Sequence, residues 1–152
     1  MKKMFLASYF TGVAKLLPVF AAESCKGKTV AFIPTASRVE KVNFFVEAGK
    51  KAFEKLGCIS DELEISQASA DEIQSKLQSN DYIYISGGNT FYLLQELKRT
   101  GADKIIVEQI QKGKLYIGES AGSVVAAPNI EYVELMDSKE MAEALTDYQA
   151  FG

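Results

Sequence analysis

The stretch that decides the fold is Lys114-Leu115-Tyr116-Ile117-Gly118-Glu119-Ser120-Ala121-Gly122-Ser123-Val124-Val125-Ala126-Ala127. It reads as an apolar strand, a sharp turn and the start of a helix, with Gly118-Glu119-Ser120-Ala121-Gly122 at the turn. That is a G-x-S-x-G pattern in strand–turn–helix context, the setting of a nucleophile elbow. Such a turn forces its central residue into a strained backbone conformation. Glycines at 118 and 122 carry no Cβ, so strand and helix can approach closely. Ser120 is therefore expected to project its hydroxyl over the carboxyl edge of a sheet, with the Ala121 amide aimed where an oxyanion would form.

Working outward, short β-rich runs alternate with segments of helical periodicity. This pattern predicts a three-layer α/β domain on a mostly parallel sheet. The expected strands are Met4–Ser8, Thr29–Pro34, Glu62–Ile65, Asp81–Ser86 and Lys114–Gly118, with Glu131–Leu135 as a sixth. Val30-Ala31-Phe32-Ile33 is continuously apolar, as suits a strand covered on both faces. Helices are expected from Pro18 to about Ser24, over Val42–Leu56, after the Ser69 cap, over Thr90–Lys98 after Asn89, over Asp103–Gln111, and over Ser138–Leu145. No repeat or linker divides the 152 residues, so residues 1–152 read as one domain.

A second loop, Ser86-Gly87-Gly88-Asn89-Thr90-Phe91, also follows an apolar strand and opens a helix. Glycines at a strand's carboxyl end let backbone approach a ligand, at the edge where open α/β sheets bind. Gly88 is the candidate second oxyanion donor, and Gly87 and Asn89 are candidate substrate contacts. The loop lacks the third glycine and the later acid of a dinucleotide fingerprint.

Composition narrows the chemistry. Seventeen basic and twenty acidic side chains leave a net charge near −3 with no basic stripe, so no nucleic-acid partner is expected. The chain contains no histidine, the commonest general base and metal ligand. Cys25 and Cys58 lack metal-ligand spacing and read as free thiols of a cytoplasmic protein. No metal or organic cofactor is expected. Met1-Lys2-Lys3 and the following apolar residues resemble a signal-peptide opening, with Val19–Ala22 as a cleavage region. Gly12, Lys15 and Pro18 interrupt that run, so Met4–Ser8 is read as the first strand, and no membrane association is expected.

The two glycine motifs together, Gly87-Gly88-Asn89-Thr90-Phe91 and Gly118-Glu119-Ser120-Ala121-Gly122, with Ile33-Pro34-Thr35-Ala36-Ser37, resemble the peptidase E family of serine peptidases, which includes aspartyl dipeptidases and cyanophycinases. The resemblance implies a fold like the class I glutamine amidotransferases (flavodoxin-like), with serine in place of their cysteine. It implies Ser120 as nucleophile, the Gly88 and Ala121 amides as oxyanion hole, and small peptides, N-terminal aspartyl dipeptides among them, as substrates. It also implies an acid that orients a histidine. Glu134 is nearest by position, with Glu131 and Asp137 in competition. The family's histidine and its acid-recognising arginine would fall past Gly152, so the chain reads as lacking the family's C-terminal segment. The competing expectation is a catalytically impaired form that retains a small-ligand crevice. An α/β-hydrolase is a third reading, disfavoured because those enzymes place their oxyanion loop much earlier than the elbow. A sheet left open at one edge would also favour self-association.

Overall fold

A computed structural model describes residues 2–152; Met1, part of the signal-peptide-like opening, lies outside the described residues. Five strands form one sheet: β1 (Lys3–Ala7), β2 (Thr29–Ile33), β3 (Ile59–Glu62), β4 (Tyr82–Ile85) and β5 (Leu115–Glu119). Their spatial order is β1-β5-β4-β2-β3, and every pairing is parallel. The helices are α1 (Phe10–Val13), α2 (Leu17–Ala21), α3 (Phe44–Lys55), α4 (Ala70–Ser79), α5 (Thr90–Thr100), α6 (Ala102–Gln111) and α7 (Ala121–Val124).

Side-chain parity along the strands builds two cores. Ala31, Ile33, Ile83, Ile85 and Tyr116 face one way, against Ile73 and Leu77 of α4, Leu93 and Leu97 of α5, and Ile106 and Ile110 of α6. Val30, Phe32, Tyr82, Tyr84, Leu115 and Ile117 face the other way, against Phe10, Leu17, Ala52 and Phe53. The central strands are thus buried on both faces and the sheet lies between two helical layers. This is the expected three-layer α/β architecture, and it explains the continuous apolar runs of β2, β4 and β5.

Local signals set the helix ends where they are strong. Ser69 caps α4 by accepting from the Glu72 amide, and Asn89 caps α5 by accepting from the Tyr92 amide. Gly101 ends α5 in the left-handed conformation at φ 76°.

Four expectations need correction. The third strand is Ile59–Glu62, not Glu62–Ile65; it pairs residue by residue with Thr29–Phe32. Leu63 and Ile65 are instead buried where the chain leaves the sheet, tied by Leu63 N–H to Phe32 O and Ile65 N–H to Thr35 Oγ1. Backbone pairing at this edge, not hydrophobicity, fixes the strand. Glu131–Leu135 is a 3-10 helix and not a sixth strand. Ile130 and Val133 turn inward while Glu131, Tyr132, Glu134 and Leu135 face solvent, an inward spacing of three, not two. The Asn129 side chain starts the turn by accepting from the Glu131 amide.

Ser138–Leu145 is a series of turns and not a helix. Its polar groups are claimed by α5: Asn89 donates to Ser138 O, and the Ala144 amide donates to Gln95 Oε1. The helix expected from Pro18 is α2, with Pro18 in its first turn as expected; it ends at Ala21 rather than near Ser24, and an unforeseen helical stretch leads into it from Phe10 through a 3-10 turn at Ala14–Leu16. Phe10 initiates it because its ring is fully buried against Phe53 and Tyr84. Val19–Ala21 belongs to α2, and Ala22 is its left-handed cap. No helix among the described residues is long and apolar enough to cross a membrane.

Candidate active site

The carboxyl ends of β4 and β5 lie side by side, with Ile85 in register with Gly118. Both glycine loops therefore leave the sheet at one place. Ser120 follows β5 directly, exposed, with φ +50° and ψ −107°. A non-glycine residue at positive φ persists only when its surroundings hold it there. Here they do. The Ser120 amide donates to Ala7 O at 2.8 Å, and the Ser123 and Val124 amides both donate to Ser120 O at 2.9 Å.

The flanking glycines are required by packing. A Cβ on Gly118 would lie 2.6 Å from Gly122 O, and one on Gly122 would lie 2.2 Å from Ile85 O. Strand β5, helix α7 and strand β4 are pressed together at these two points. Tyr116 Oη donates to Gly122 O from below and fixes the same turn. Ser123 adds a cross-tie: its Oγ accepts from the Ala7 amide at 3.1 Å and lies 2.8 Å from both Ala7 O and Gly118 O.

The second loop closes over the serine. A Cβ on Gly87 would come within 3.1 Å of Ser120 Cβ and 3.6 Å of the Phe45 ring. Gly88 has φ +139°, and a Cβ there would meet Ala36 O at 2.1 Å. The Ala36 carbonyl is the pivot, since it also accepts from the Asn89 amide at 2.9 Å. Among the described residues neither the Gly88 amide nor the Ala121 amide takes a main-chain acceptor.

These parts border one cavity of about 170 Å³, lined by Ser8, Tyr9, Phe44, Phe45, Gly87, Gly88, Glu119 and Ser120. The structure thus brings Ser120, Gly87 and Gly88 together, with Ala121 adjoining. Asn89 is placed differently. It is buried, its Oδ1 caps α5 and its Nδ2 donates to Ser138 O at 2.8 Å, so it holds the loop rather than facing the cavity.

The three candidate acids do not line the cavity. Glu134 sits on the exposed 3-10 helix and pairs with Lys139 at 3.0 Å. That contact lifts the Lys139 ammonium above its ordinary pKa. Glu131 is exposed on the same turn. Asp137 Oδ2 accepts from the Thr90 amide at 2.9 Å and the Thr90 hydroxyl at 2.6 Å, serving the start of α5.

Glu119 was not singled out by the sequence. It is 2% exposed; its Oε2 accepts from the Phe10 amide at 2.6 Å and its Oε1 from the Tyr84 hydroxyl at 2.8 Å. Burial and this carboxylate drive the Tyr84 phenol far above its usual pKa. Strand parity carried the signal: Leu115, Ile117 and Glu119 share a face, and that face meets Tyr84 and Phe10.

The pattern of peptidase family S51 matches residues 5–152. An uncharacterized peptidase of Listeria monocytogenes is 59% identical over 150 residues, spanning 99% of this chain and 73% of that protein. An uncharacterized peptidase of Pasteurella multocida is 53% identical over 150 residues, spanning 99% and 72%. A crystal structure of a candidate peptidase E protein from Listeria monocytogenes superposes with a TM-score of 0.97 at 58% identity, covering 100% of this chain and 75% of that one. The match over residues 5–152 and the superposition over the whole chain lead to one conclusion: the chain belongs to peptidase family S51.

Proposed function

We propose that this peptidase-family chain works as a serine hydrolase on small peptides, with Ser120 as nucleophile. The observation that carries the proposal is the exposed Ser120 at φ +50°, facing a glycine loop whose Gly88 amide has no main-chain acceptor. Ser120 Oγ would attack the peptide carbonyl carbon. The oxygen, now negative, would accept from the Gly88 and Ala121 amides, neither of which takes a main-chain acceptor among the described residues. The amine then leaves with a proton, and water hydrolyses the acyl-enzyme.

Proton transfer belongs to a histidine in the family this chain resembles, and the 152 residues contain none. Glu134 keeps the proposed role of orienting that histidine, which requires its release from Lys139. Gly87 would border the substrate, and Asn89 would support it by fixing the loop. Two free, buried cysteines favour a reducing compartment, so the proposed location is the cytoplasm.

A second reading is that the chain binds a small ligand without turning it over; the cavity bordered by Gly87, Gly88 and Ser120 supports it. Intact-mass detection of fluorophosphonate labelling separates the two, with Ser120→Ala as control. Adduct formation that disappears in the variant supports the hydrolase. No adduct on a folded chain supports binding without chemistry.

A further inference from the structure

The stretch Ile33-Pro34-Thr35-Ala36-Ser37 has no part in the proposed chemistry of Ser120, yet it meets the Gly88 loop along its length. The Ser86 amide donates to Ile33 O at 3.0 Å and the Asn89 amide to Ala36 O at 2.9 Å, so the loop is braced at both ends. Between these two bonds Gly88 lies against the Ala36–Ser37 peptide: a Cβ there would stand 2.1 Å from Ala36 O and 2.5 Å from the Ser37 nitrogen. That peptide therefore sets where the Gly88 backbone can sit.

The peptide is held in turn from behind. Thr35–Val39 is a 3-10 helix, and the Ser37 amide and hydroxyl both donate to Pro34 O, at 3.0 and 2.7 Å. Thr35 is fully buried; its hydroxyl donates to Glu64 Oε1 at 2.6 Å and accepts from the Ile65 amide at 3.3 Å. The same carboxylate oxygen accepts from the Ser66 amide at 3.2 Å and the Ser66 hydroxyl at 2.8 Å. A hydrogen bond to a charged oxygen is roughly twice as strong as a neutral one. Here it fastens the Pro34–Ser37 turn to the segment that follows β3.

We propose that Thr35 and Glu64 are positioning residues for the oxyanion donor Gly88. Their bond fixes the turn, the turn fixes the Ala36 carbonyl, and that carbonyl fixes Gly88 and the Asn89 amide. The role rests on the hydrolase reading of Ser120 and Gly88; the brace itself does not. An oxyanion hole works when its donors are in place beforehand, and a displacement of about 1 Å can cost roughly a hundredfold in rate.

The test compares the 152-residue protein with three variants. Thr35→Val keeps the shape and removes the hydroxyl, Thr35→Ser keeps the hydroxyl, and Glu64→Ala alters a half-buried position where the fold should survive. Amide exchange and resonance positions are followed by NMR. In Thr35→Val and Glu64→Ala the Asn89 amide is expected to exchange at least about tenfold faster and the Gly88 resonance to move, while Tyr84 and Ile117 in the central strands keep their exchange rates. Thr35→Ser is expected to restore both. Unmoved Asn89 and Gly88, a loss shared equally by Tyr84 and Ile117, or no restoration by Thr35→Ser would overturn the inference. If Thr35→Val does not fold, Glu64→Ala decides. Fluorophosphonate labelling runs in parallel, and its rate at Ser120 is expected to fall at least about tenfold in both variants. Labelling at the wild-type rate overturns the positioning role and keeps the nucleophile. A wild-type chain that takes no label overturns the hydrolase reading, and exchange alone then decides the brace.

Discussion

Glu119 and Tyr84 meet at 2.8 Å beneath the Ser120 turn, where the buried Tyr84 phenol donates to the buried carboxylate of the residue just before the serine. The same carboxylate accepts from the Phe10 amide, so one side chain ties β5, β4 and the start of α1 together. The cavity wall that includes Tyr9 depends on that tie. Tyr84→Phe leaves Glu119 Oε1 without its donor and is expected to cost about 1–3 kcal/mol. Glu119→Gln keeps an acceptor for Phe10. Urea unfolding of the two single variants and the double variant should show non-additive losses; simple additivity would mean the pair is not coupled.

Gly88 and Ala36 make a second close approach. Gly88→Ala would drive a methyl to 2.1 Å from Ala36 O at a φ of +139°. A cost of about 1–3 kcal/mol or more is expected from overpacking, together with displacement of the Gly88 amide. Gly101→Ala is the control. It too has positive φ, but a Cβ there meets nothing within 4 Å, so only the left-handed strain of about 1–2 kcal/mol is expected. Urea midpoints that rank the two variants in the opposite order would contradict this.

Asp137 belongs to the start of α5. Asp137→Ala removes the acceptor for both Thr90 groups and should lower stability by about 0.5–2 kcal/mol, the range of a lost helix cap. Glu131→Ala, on the exposed side of the neighbouring turn, should change it little. Thermal unfolding of the two variants checks the contrast.

Cys58 supplies a pH prediction. Burial foremost, then the adjoining Cys25 and the more distant Asp81, push its thiol up to about 12. The unfolded thiol titrates near 8.5. Above that value the unfolded chain has lost the proton while the folded chain keeps it. This contribution to stability is therefore full below about pH 8.5 and is lost as pH rises toward about 12. Cys58→Val should flatten the alkaline fall in stability measured by urea unfolding at successive pH values. An unchanged slope would show that other groups carry it. Tyr82, Tyr84 and Tyr116 are also shifted upward by burial, so a residual slope is expected.

Sequence reading reached the central strands because they are buried on both faces, where apolar runs leave little choice. It placed α4 and α5 because Ser69 and Asn89 are caps whose chemistry is local. It failed at β3, where edge pairing with β2 outweighs the apolar pull of Leu63 and Ile65. It failed again after Asn129, where contacts to α5 replace a local helix or strand. In the candidate site, Ser120, Gly88 and Gly87 were legible from spacing alone. Phe44, Phe45 and Tyr9 were not, because nothing local says that the start of α3 and the end of β1 flank the same cavity.

The amino-acid order alone pointed to the strand–turn–helix at Gly118, Ser120 and Gly122 through their spacing, while Ala7 and Ile85 of the neighbouring strands hold that turn in its strained, closely packed form. It also determined the layered fold, through side-chain periodicity. Tertiary structure decided which groups surround the serine. The order β1-β5-β4-β2-β3 sets the Gly87 loop beside Ser120 and brings Tyr9 and Phe45 from distant segments to the same edge. The physical reason is that periodicity fixes the face a residue occupies, whereas neighbours across a parallel sheet are chosen by crossover connections and long-range packing.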